Sequence, residues 1–240
     1  EVHEVMMKVM AETKKAYGNT YPLAGRDGVH PAPNGHLCMA YAFLKAMGLD
    51  GNLATFSVTW PKQVQASTGH TASMTADGVV AIESTRYPFC FTGAENDPNG
   101  MVSVLPFLPF NADLNRFILV VKDLPSPRAS VTWGKTTRDF SREQLAAGIN
   151  LAAEFLDNPF SEPFARVLES VSSKEEKEHH LIKGFMHNLL SVDLLGDDPE
   201  AKAAVEVVRQ HILKRLDQAQ GTVQAVVVPV KHTLTIVPKS

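Results

Sequence analysis

An aspartate and a histidine stand three residues apart in a loop that is rich in glycine and proline. The loop reads GRDGVHP over residues 25–31 and is followed by NGH at residues 34–36. At this spacing, the carboxylate of Asp27 can accept a hydrogen bond from Nδ1–H of His30 and fix the tautomer that leaves Nε2 free. Nε2 can then take a proton from a serine hydroxyl. The loop therefore indicates two of the three parts of a Ser-His-Asp hydrolytic site.

Two predicted helices flank this loop and must position it. The first is predicted over residues 5–17, and the second over residues 34–47 with Asn34 as its N-cap. Their apolar stripes are Met6, Met7 and Met10 on the first helix, and Leu37, Ala40, Tyr41, Leu44 and Met47 on the second. Large apolar side chains left in water forfeit roughly 1.5–3 kcal/mol each. We therefore expect both stripes to be covered by a surface that is encoded elsewhere.

The whole string, DGVHP followed by NGH, resembles the last sequence block of the SGNH (GDSL) hydrolases, and this resemblance covers residues 1–50. It implies that Asp27 and His30 are catalytic and that residues 31, 35 and 36 support them. It also implies a flavodoxin-like three-layer α/β fold with a parallel sheet, of which residues 1–50 would be the C-terminal piece. Residues 2–4 resemble the strand end that precedes this block. A weaker resemblance, to a segment that follows the hydrolase core in some bacterial members, covers residues 124–160.

The sequence departs from the family at the nucleophile. The family has a Gly-Asp-Ser block far upstream of the histidine, and two middle blocks whose Gly and Asn complete the oxyanion hole, but here only 29 residues precede His30. Residues 196–198 read GDD and lack the serine, and residues 93–97 are typical of a turn. The chain also begins at Glu1 without a signal peptide. We therefore expect an N-terminal hydrolase segment, outside this sequence, to supply the serine, and we expect the 240-residue chain alone to be inactive.

Two further regions follow the hydrolase piece. Residues 51–135 hold short β-rich runs, with Asp77-Gly78 as a hairpin signal, and predict a small antiparallel sheet or partial sandwich. Residues 136–240 predict a capping box at residues 141–144, a helical hairpin and a terminal β segment. The expected strands are 54–58, 73–76, 79–84, 101–105 and 116–121. The arms of the helical hairpin are expected at 163–188 and 199–219, joined by a turn at 193–199, and the buried seam of the second arm is Val205, Val208, Ile212 and Leu216. The terminal β segments are expected at 223–230 and 232–236.

Composition excludes several other functions. The net charge of −3 gives no basic footprint for nucleic acid, and the apolar runs are too short to span a membrane. Two cysteines do not indicate a disulfide framework. The EHH sequence at residues 178–180 is interpreted as a solvated helix face rather than a metal site, and both tryptophans as core residues. Arg26 is interpreted as exposed, and His36 as capping or packing the second helix.

These observations predict a serine esterase that hydrolyses a small ester, with an acetylated glycan as the preferred substrate class and no metal or organic cofactor. In that mechanism Asp27 orients the imidazole and His30 acts as general base and then acid. The alternative is a non-catalytic binding module that retains a vestigial hydrolase end. No compartment can be inferred from a leader, although a secreted or periplasmic location is favoured.

Overall fold

The structure is a computed structural model, and it describes residues 1–75, 77–94, 96–190 and 196–240. Contacts within the chain define two compact units: residues 1–160 with 230–240, and residues 161–229. These units group the chain differently from the division at residues 50 and 135. The segment 1–50 belongs to the same unit as the β-rich region and as the last strand.

The first unit contains six labelled helices and nine strands among its described residues. Its helices are α1 (Val2–Tyr17), α2 (Pro33–Ala46), α3 (Met101–Val104), α4 (Phe110–Leu114), α5 (Arg142–Ala147) and α6 (Leu151–Glu154), with 3-10 turns at Gly18–Thr20 and Leu105–Phe107. Its strands are β1 (Asn52–Thr59), β2 (Gln63–Ala66), β3 (His70–Met74), β4 (Val79–Ser84), β5 (Arg116–Lys122), β6 (Arg128–Trp133), β7 (Thr136–Ser141), β8 (Ile149–Asn150) and β9 (Val230–Lys239).

The strands form two sheets, so the fold is a mixed α/β one. The first sheet has the order β2-β1-β5-β8, and the second has the order β3-β4-β9-β6-β7. Among the pairs described, only β1 with β5 is parallel. Helix α1 begins at Val2, and residues 1–50 contain no strand, so the strand end expected at residues 2–4 is wrong.

Aromatic side chains join the two sheets face to face. Phe117 of β5 stacks on Trp133 of β6, with ring centroids 5.5 Å apart. Phe56 of β1 lies edge-on to His232 of β9. Both phenylalanines and Trp133 are fully buried. The strands of residues 51–135 thus lie in two facing sheets, but β1 and β5 are parallel and strands from outside this region, including the last strand of the chain, complete the sheets.

Helices α1 and α2 pack on the segment that contains α3 and α4. Val9 and Leu37 are buried in one cluster with Val104, Leu108 and Phe110. Met6 and Leu44 are half-buried against the same cluster, whereas Met10 remains 39% exposed. The β-rich region thus covers the inner half of the two stripes, and their outer half stays open.

Four large apolar side chains stay exposed on α1 and α2 or at the end of α2; three of them belong to the predicted stripes, and Phe43 lies beside them. Their exposed fractions are 51% for Met7, 39% for Met10, 55% for Phe43 and 67% for Met47. The described residues of this chain leave that part of the surface in water. The expectation of a covering segment therefore stays a prediction for these residues.

Local predictions succeeded where turn chemistry was explicit. Strand β4 has the predicted bounds, β3 and β4 are antiparallel across the Asp77-Gly78 turn, and both hydrogen bonds of the 141–144 capping box are present. The strand expected at residues 101–105 is wrong, because Met101–Val104 is helical. Ala32 rather than Asn34 is the N-cap of α2. Ala76 and Glu95, which fall in the predicted strand 73–76 and turn 93–97, lie outside the described residues.

The second unit is a helical hairpin. It consists of α7 (Ser161–His179), a π-helical segment (His180–Leu190) and α8 (Pro199–Val226). Asp198 caps α8 by accepting hydrogen bonds from the backbone N–H groups of Glu200 and Ala201. Val208 is 47% exposed, so its assignment to the buried seam is wrong. Residues 223–226 are helical, and part of the predicted turn 193–199 lies outside the described residues.

No helix in the described ranges is long and apolar enough to span a bilayer.

Candidate active site

The Asp27 and His30 side chains are hydrogen-bonded to each other. The distance between Oδ2 of Asp27 and Nδ1 of His30 is 2.6 Å. A carboxylate can only accept, so Nδ1 carries the proton when the imidazole is neutral, and Nε2 is the free basic nitrogen. This is the orientation that a general base needs in a Ser-His-Asp site.

The second oxygen of the same carboxylate fixes the loop. Oδ1 of Asp27 accepts hydrogen bonds of 3.0 Å from the backbone N–H groups of Val29 and His30. The hydrogen bond with the His30 side chain is the largest of the effects that hold the pKa of the Asp27 carboxyl well below its usual range, followed by the bonds from the two backbone groups. The carboxylate is therefore ionised at neutral pH and can both shape the loop and orient the imidazole.

Two glycines make this loop geometry possible. Gly25 has φ of +81°, and a Cβ placed there would lie 2.1 Å from the carbonyl oxygen of His30. A Cβ on Gly35, in the first turn of α2, would lie 2.1 Å from the carbonyl oxygen of Leu23. Real contacts of this kind do not occur, so any larger residue at either position must displace the loop. Gly25 and Gly35 therefore have a steric role in the site.

The beginning of α2 is anchored to the loop at residues 98–99. The side-chain amide of Asn34 donates a 2.8 Å hydrogen bond to the carbonyl of Pro98, and its backbone N–H donates to the carbonyl of Asn99. Asn34 is fully buried. It therefore ties the first turn of α2 to the neighbouring loop, a role different from the N-cap that was predicted for it.

The imidazole of His30 is open to solvent. Its side chain is 84% exposed, and that of Asp27 is 55% exposed. In the part of the chain that the structure describes, Nε2 of His30 is not hydrogen-bonded to any serine. The dyad is therefore formed, but no serine among the described residues is bonded to its basic nitrogen.

A second group of serine and histidine side chains lies between the two sheets. The hydroxyl of Ser84 is 2.7 Å from Nδ1 of His70 and 3.0 Å from Nε2 of His232. The indole N–H of Trp133 donates to Nδ1 of His232, and Nε2 of His70 is 2.9 Å from the carbonyl of Leu53. Sequence reasoning missed this group, because Ser84 and His232 are 148 residues apart and meet only through the pairing of β4 with β9.

The direction of every hydrogen bond in this buried group is fixed by its two ends. An indole N–H can only donate, and a backbone carbonyl can only accept. His232 must therefore donate from Nε2 to Ser84, and Ser84 must donate to His70, which donates to Leu53. Burial, and to a smaller extent the nearby His70, lowers the pKa of His232 to about 4, and burial also lowers the pKa of His70. Ser84 is fully buried, so this serine is a structural link rather than a nucleophile that a substrate can reach.

The other residues singled out in the sequence lie as follows. Arg26 and His36 are exposed, and His36 lies in the first turn of α2. Trp133 is fully buried, as expected, and Trp60 is half-buried. The rings of His179 and His180 are exposed, with centroids 6.0 Å apart. Within the described ranges, no cluster of three His, Cys, Asp or Glu side chains could hold a metal ion.

Comparison with known proteins adds one relative at the level of the fold. No family model and no curated protein matches the chain. A solved structure described as "BT4096 a gut microbial diltiazem-metabolizing enzyme" matches with a TM-score of 0.66 and 20% sequence identity. The match covers 98% of this chain and 60% of the other, so this chain spans less than two thirds of that enzyme.

At this identity the match establishes the fold class. The structural relative that shares this fold is an enzyme. The match extends over both compact units of this chain. The resemblance to the SGNH hydrolases is carried by the residues of the loop alone, and this match does not test it.

Proposed function

We propose that this chain carries the aspartate and histidine of an SGNH-type serine esterase, and that its serine comes from an N-terminal hydrolase segment outside this sequence. The observation that supports the proposal most directly is the 2.6 Å hydrogen bond between Asp27 and Nδ1 of His30, which leaves Nε2 free and open to solvent. The enzymatic activity of the structural relative is consistent with it.

The reaction is acyl transfer from an ester to water. Nε2 of His30 takes the proton of the serine hydroxyl as that oxygen attacks the ester carbonyl, and then gives the proton to the departing alcohol. The histidine next takes a proton from water, which attacks the acyl-serine and releases the acid, and the proton returns to the serine. Asp27 stays ionised throughout and stabilises the imidazolium.

The proposed N-terminal hydrolase segment would also explain why the outer half of the apolar stripes on α1 and α2 is exposed. Met7, Met10, Phe43 and Met47 are exposed on the helices that flank the dyad loop. Contact with the N-terminal hydrolase segment would remove these side chains from water and place the serine next to His30. A small ester or an acetylated glycan is the proposed substrate class, and diltiazem is included because the structural relative is described as metabolising it.

The experiment compares the 240-residue chain with the longer product of its gene. We expect the longer product to contain a Gly-Asp-Ser block, to hydrolyse p-nitrophenyl acetate and to react with a fluorophosphonate at that serine. His30→Ala should abolish hydrolysis, and Asp27→Asn should reduce it by about 10⁴-fold. His179→Ala, which removes an exposed histidine from α7, is the matched control and should retain full activity. Acetylated oligosaccharides and diltiazem then define the substrate class.

The same comparison tests the non-catalytic alternative. That alternative is favoured by one observation: in the described part of the chain, no serine is hydrogen-bonded to Nε2 of His30. A gene product without an upstream serine block and without esterase activity would replace the esterase proposal with a binding module. Robust hydrolysis by the 240-residue chain, lost in His30→Ala, would show that a serine within this sequence attacks.

A further inference from the structure

The helical hairpin of the second unit contains a cavity of about 550 Å³. This volume is within the range of small-molecule sites, roughly 300–1,000 Å³. The cavity lies where the end of α7 and the beginning of the π-helical segment face α8. All of its lining residues belong to residues 161–229, so the hairpin alone forms it.

The lining combines an apolar surface with cations. Leu181, Ile212, Leu216 and Ala219 provide aliphatic side chains, and Leu181 and Ala219 are the two buried hydrophobic residues of the hairpin among those described. Lys177 and Arg215 line the same cavity. The cavity therefore offers contacts both to an aliphatic chain and to an anion.

The two cations have no acidic partner within the described residues. Other cations of the same helices do: Lys174 pairs with Glu178 at 2.7 Å, and Arg209 pairs with Glu206 at 2.7 Å. Lys177 and Arg215 are exposed and, unlike these two paired cations, keep their donors available. A carboxylate is the group that such donors bind in charge-assisted hydrogen bonds.

The wall of the cavity also has unusual backbone geometry. Residues His180–Leu190 form a π-helix, and its first two residues line the cavity. π-Helical turns are rare and occur frequently at functional sites. This observation does not depend on the composition of the lining, and it points to the same end of the hairpin.

We propose that this cavity binds the free carboxylate of a single-chain fatty acid. The aliphatic chain lies along Leu181, Ile212, Leu216 and Ala219, and the carboxylate is bound by Lys177 and Arg215. This binding requires neither Asp27 nor His30, so it goes beyond the proposed esterase activity and can be measured without any hydrolysis.

The test is displacement of a fluorescent fatty acid from the intact chain by dodecanoate, at concentrations below its micelle threshold. We expect saturable displacement at one site per chain. The Lys177→Ala/Arg215→Ala double variant should weaken dodecanoate binding by roughly tenfold or more, because it removes two charge-assisted contacts. Lys174→Ala/Arg209→Ala is the matched control, since it removes two paired cations from the same helices, and it should bind as the parent does.

One further ligand and one further variant define the chemistry. Dodecanol should bind more weakly than dodecanoate to the parent and equally to the parent and to the Lys177/Arg215 variant, because it lacks the anion. Ala219→Leu, which places a larger side chain in the wall of the cavity, should weaken binding of both ligands, while circular dichroism reports whether the helices remain. Absence of displacement, equal binding of dodecanoate and dodecanol, or an unchanged affinity in the Lys177/Arg215 variant would each overturn the proposal.

Discussion

Two histidine sites in the first unit use the same residue types for opposite purposes. At the loop, Asp27 binds one nitrogen of His30 and leaves the other open to solvent. Between the sheets, every nitrogen of His70 and His232 is hydrogen-bonded. The open site keeps a basic nitrogen available for a reactant, whereas the buried site uses all of its hydrogen-bonding capacity to join strands. A serine next to a histidine is therefore a catalytic sign only where a substrate can reach it.

Acid should reveal the largest difference between the two sites. Burial lowers the pKa of His232 from 6.5 to about 4, so as the pH falls below about 6.5 the unfolded chain binds a proton that the folded chain does not. The stability contributed by neutral His232 is thus complete above pH 6.5 and is lost as the pH falls towards 4. At about 1.4 kcal/mol per pKa unit, the loss amounts to roughly 3 kcal/mol. His70, whose pKa is lowered by burial and also by the charge of Arg86, should add to it.

Urea unfolding between pH 7 and pH 4 measures this loss. His232→Asn has no titrating group at that position, so it should be less stable at neutral pH and less sensitive to acid. If its stability falls with pH as steeply as that of the parent, the acid sensitivity arises from other groups.

Removing the central hydroxyl should have the next largest effect. Ser84→Ala leaves N–H of His232 and Nδ1 of His70 buried without their partner, which costs about 1–3 kcal/mol in the free energy of unfolding. Ser73→Ala, on the exposed side of β3, is the matched control and should change stability by less than about 0.5 kcal/mol. Equal stabilities of the two variants in urea would show that the hydrogen-bonded chain contributes little.

Substitution at the exposed Asp27–His30 site should change stability very little in the same urea unfolding experiment. His30→Ala removes a side chain that is 84% exposed, and we expect its free energy of unfolding to change by less than about 0.5 kcal/mol. The variant is thus suited to separating chemistry from folding in the esterase assay. A loss of several kcal/mol would instead assign the Asp27–His30 pair a structural role like that of the buried group.

The smallest effect is spectroscopic and distinguishes the two sites directly. Neutral His30 should carry its proton on Nδ1, whereas neutral His70 and His232 should carry theirs on Nε2, as their hydrogen-bond partners require. ¹⁵N NMR of the imidazole nitrogens at pH 7.5 reports the tautomers. An Nε2-protonated His30 would contradict its interpretation as a base held ready by Asp27.

The same contrast explains which features the sequence could predict. The site is local in sequence, because its carboxylate, imidazole and two glycines lie within residues 25–35, and spacing and turn chemistry were enough to predict the Asp27–His30 hydrogen bond. The buried group needs the register that places Ile82 beside His232 and Ser84 beside Val230, and no local pattern contains that information. Met101–Val104 shows a related limit, since a short apolar run is compatible with a strand or a buried helix until its packing is known.

Helix α8 shows where hydrophobic periodicity fails to predict the buried side of a helix. Val205, Ile212 and Leu216 are half-buried, but Val208 is 47% exposed, because the buried side of α8 follows the 201, 205, 209, 212 series instead. Arg209, in that series, is half-buried and ion-paired with Glu206. The aliphatic part of an arginine side chain can cover apolar surface while the guanidinium group stays in water. A prediction of the buried side that counts only hydrophobic residues therefore omits Arg209.

Strand β9 lies between β4 and β6 in the second sheet, although the whole of residues 161–229 separates it from the rest of the first unit in sequence. On the ribosome, β3 and β4 emerge early, and β6 and β7 follow, but neither hairpin can join the other until residues 230–239 have left the exit tunnel. Until then β4 and β6 each expose an unpaired edge, which is a template for pairing with another chain. Closure of this sheet is therefore a late event in biosynthesis, and a nascent chain arrested within the helical hairpin should be a substrate for chaperones.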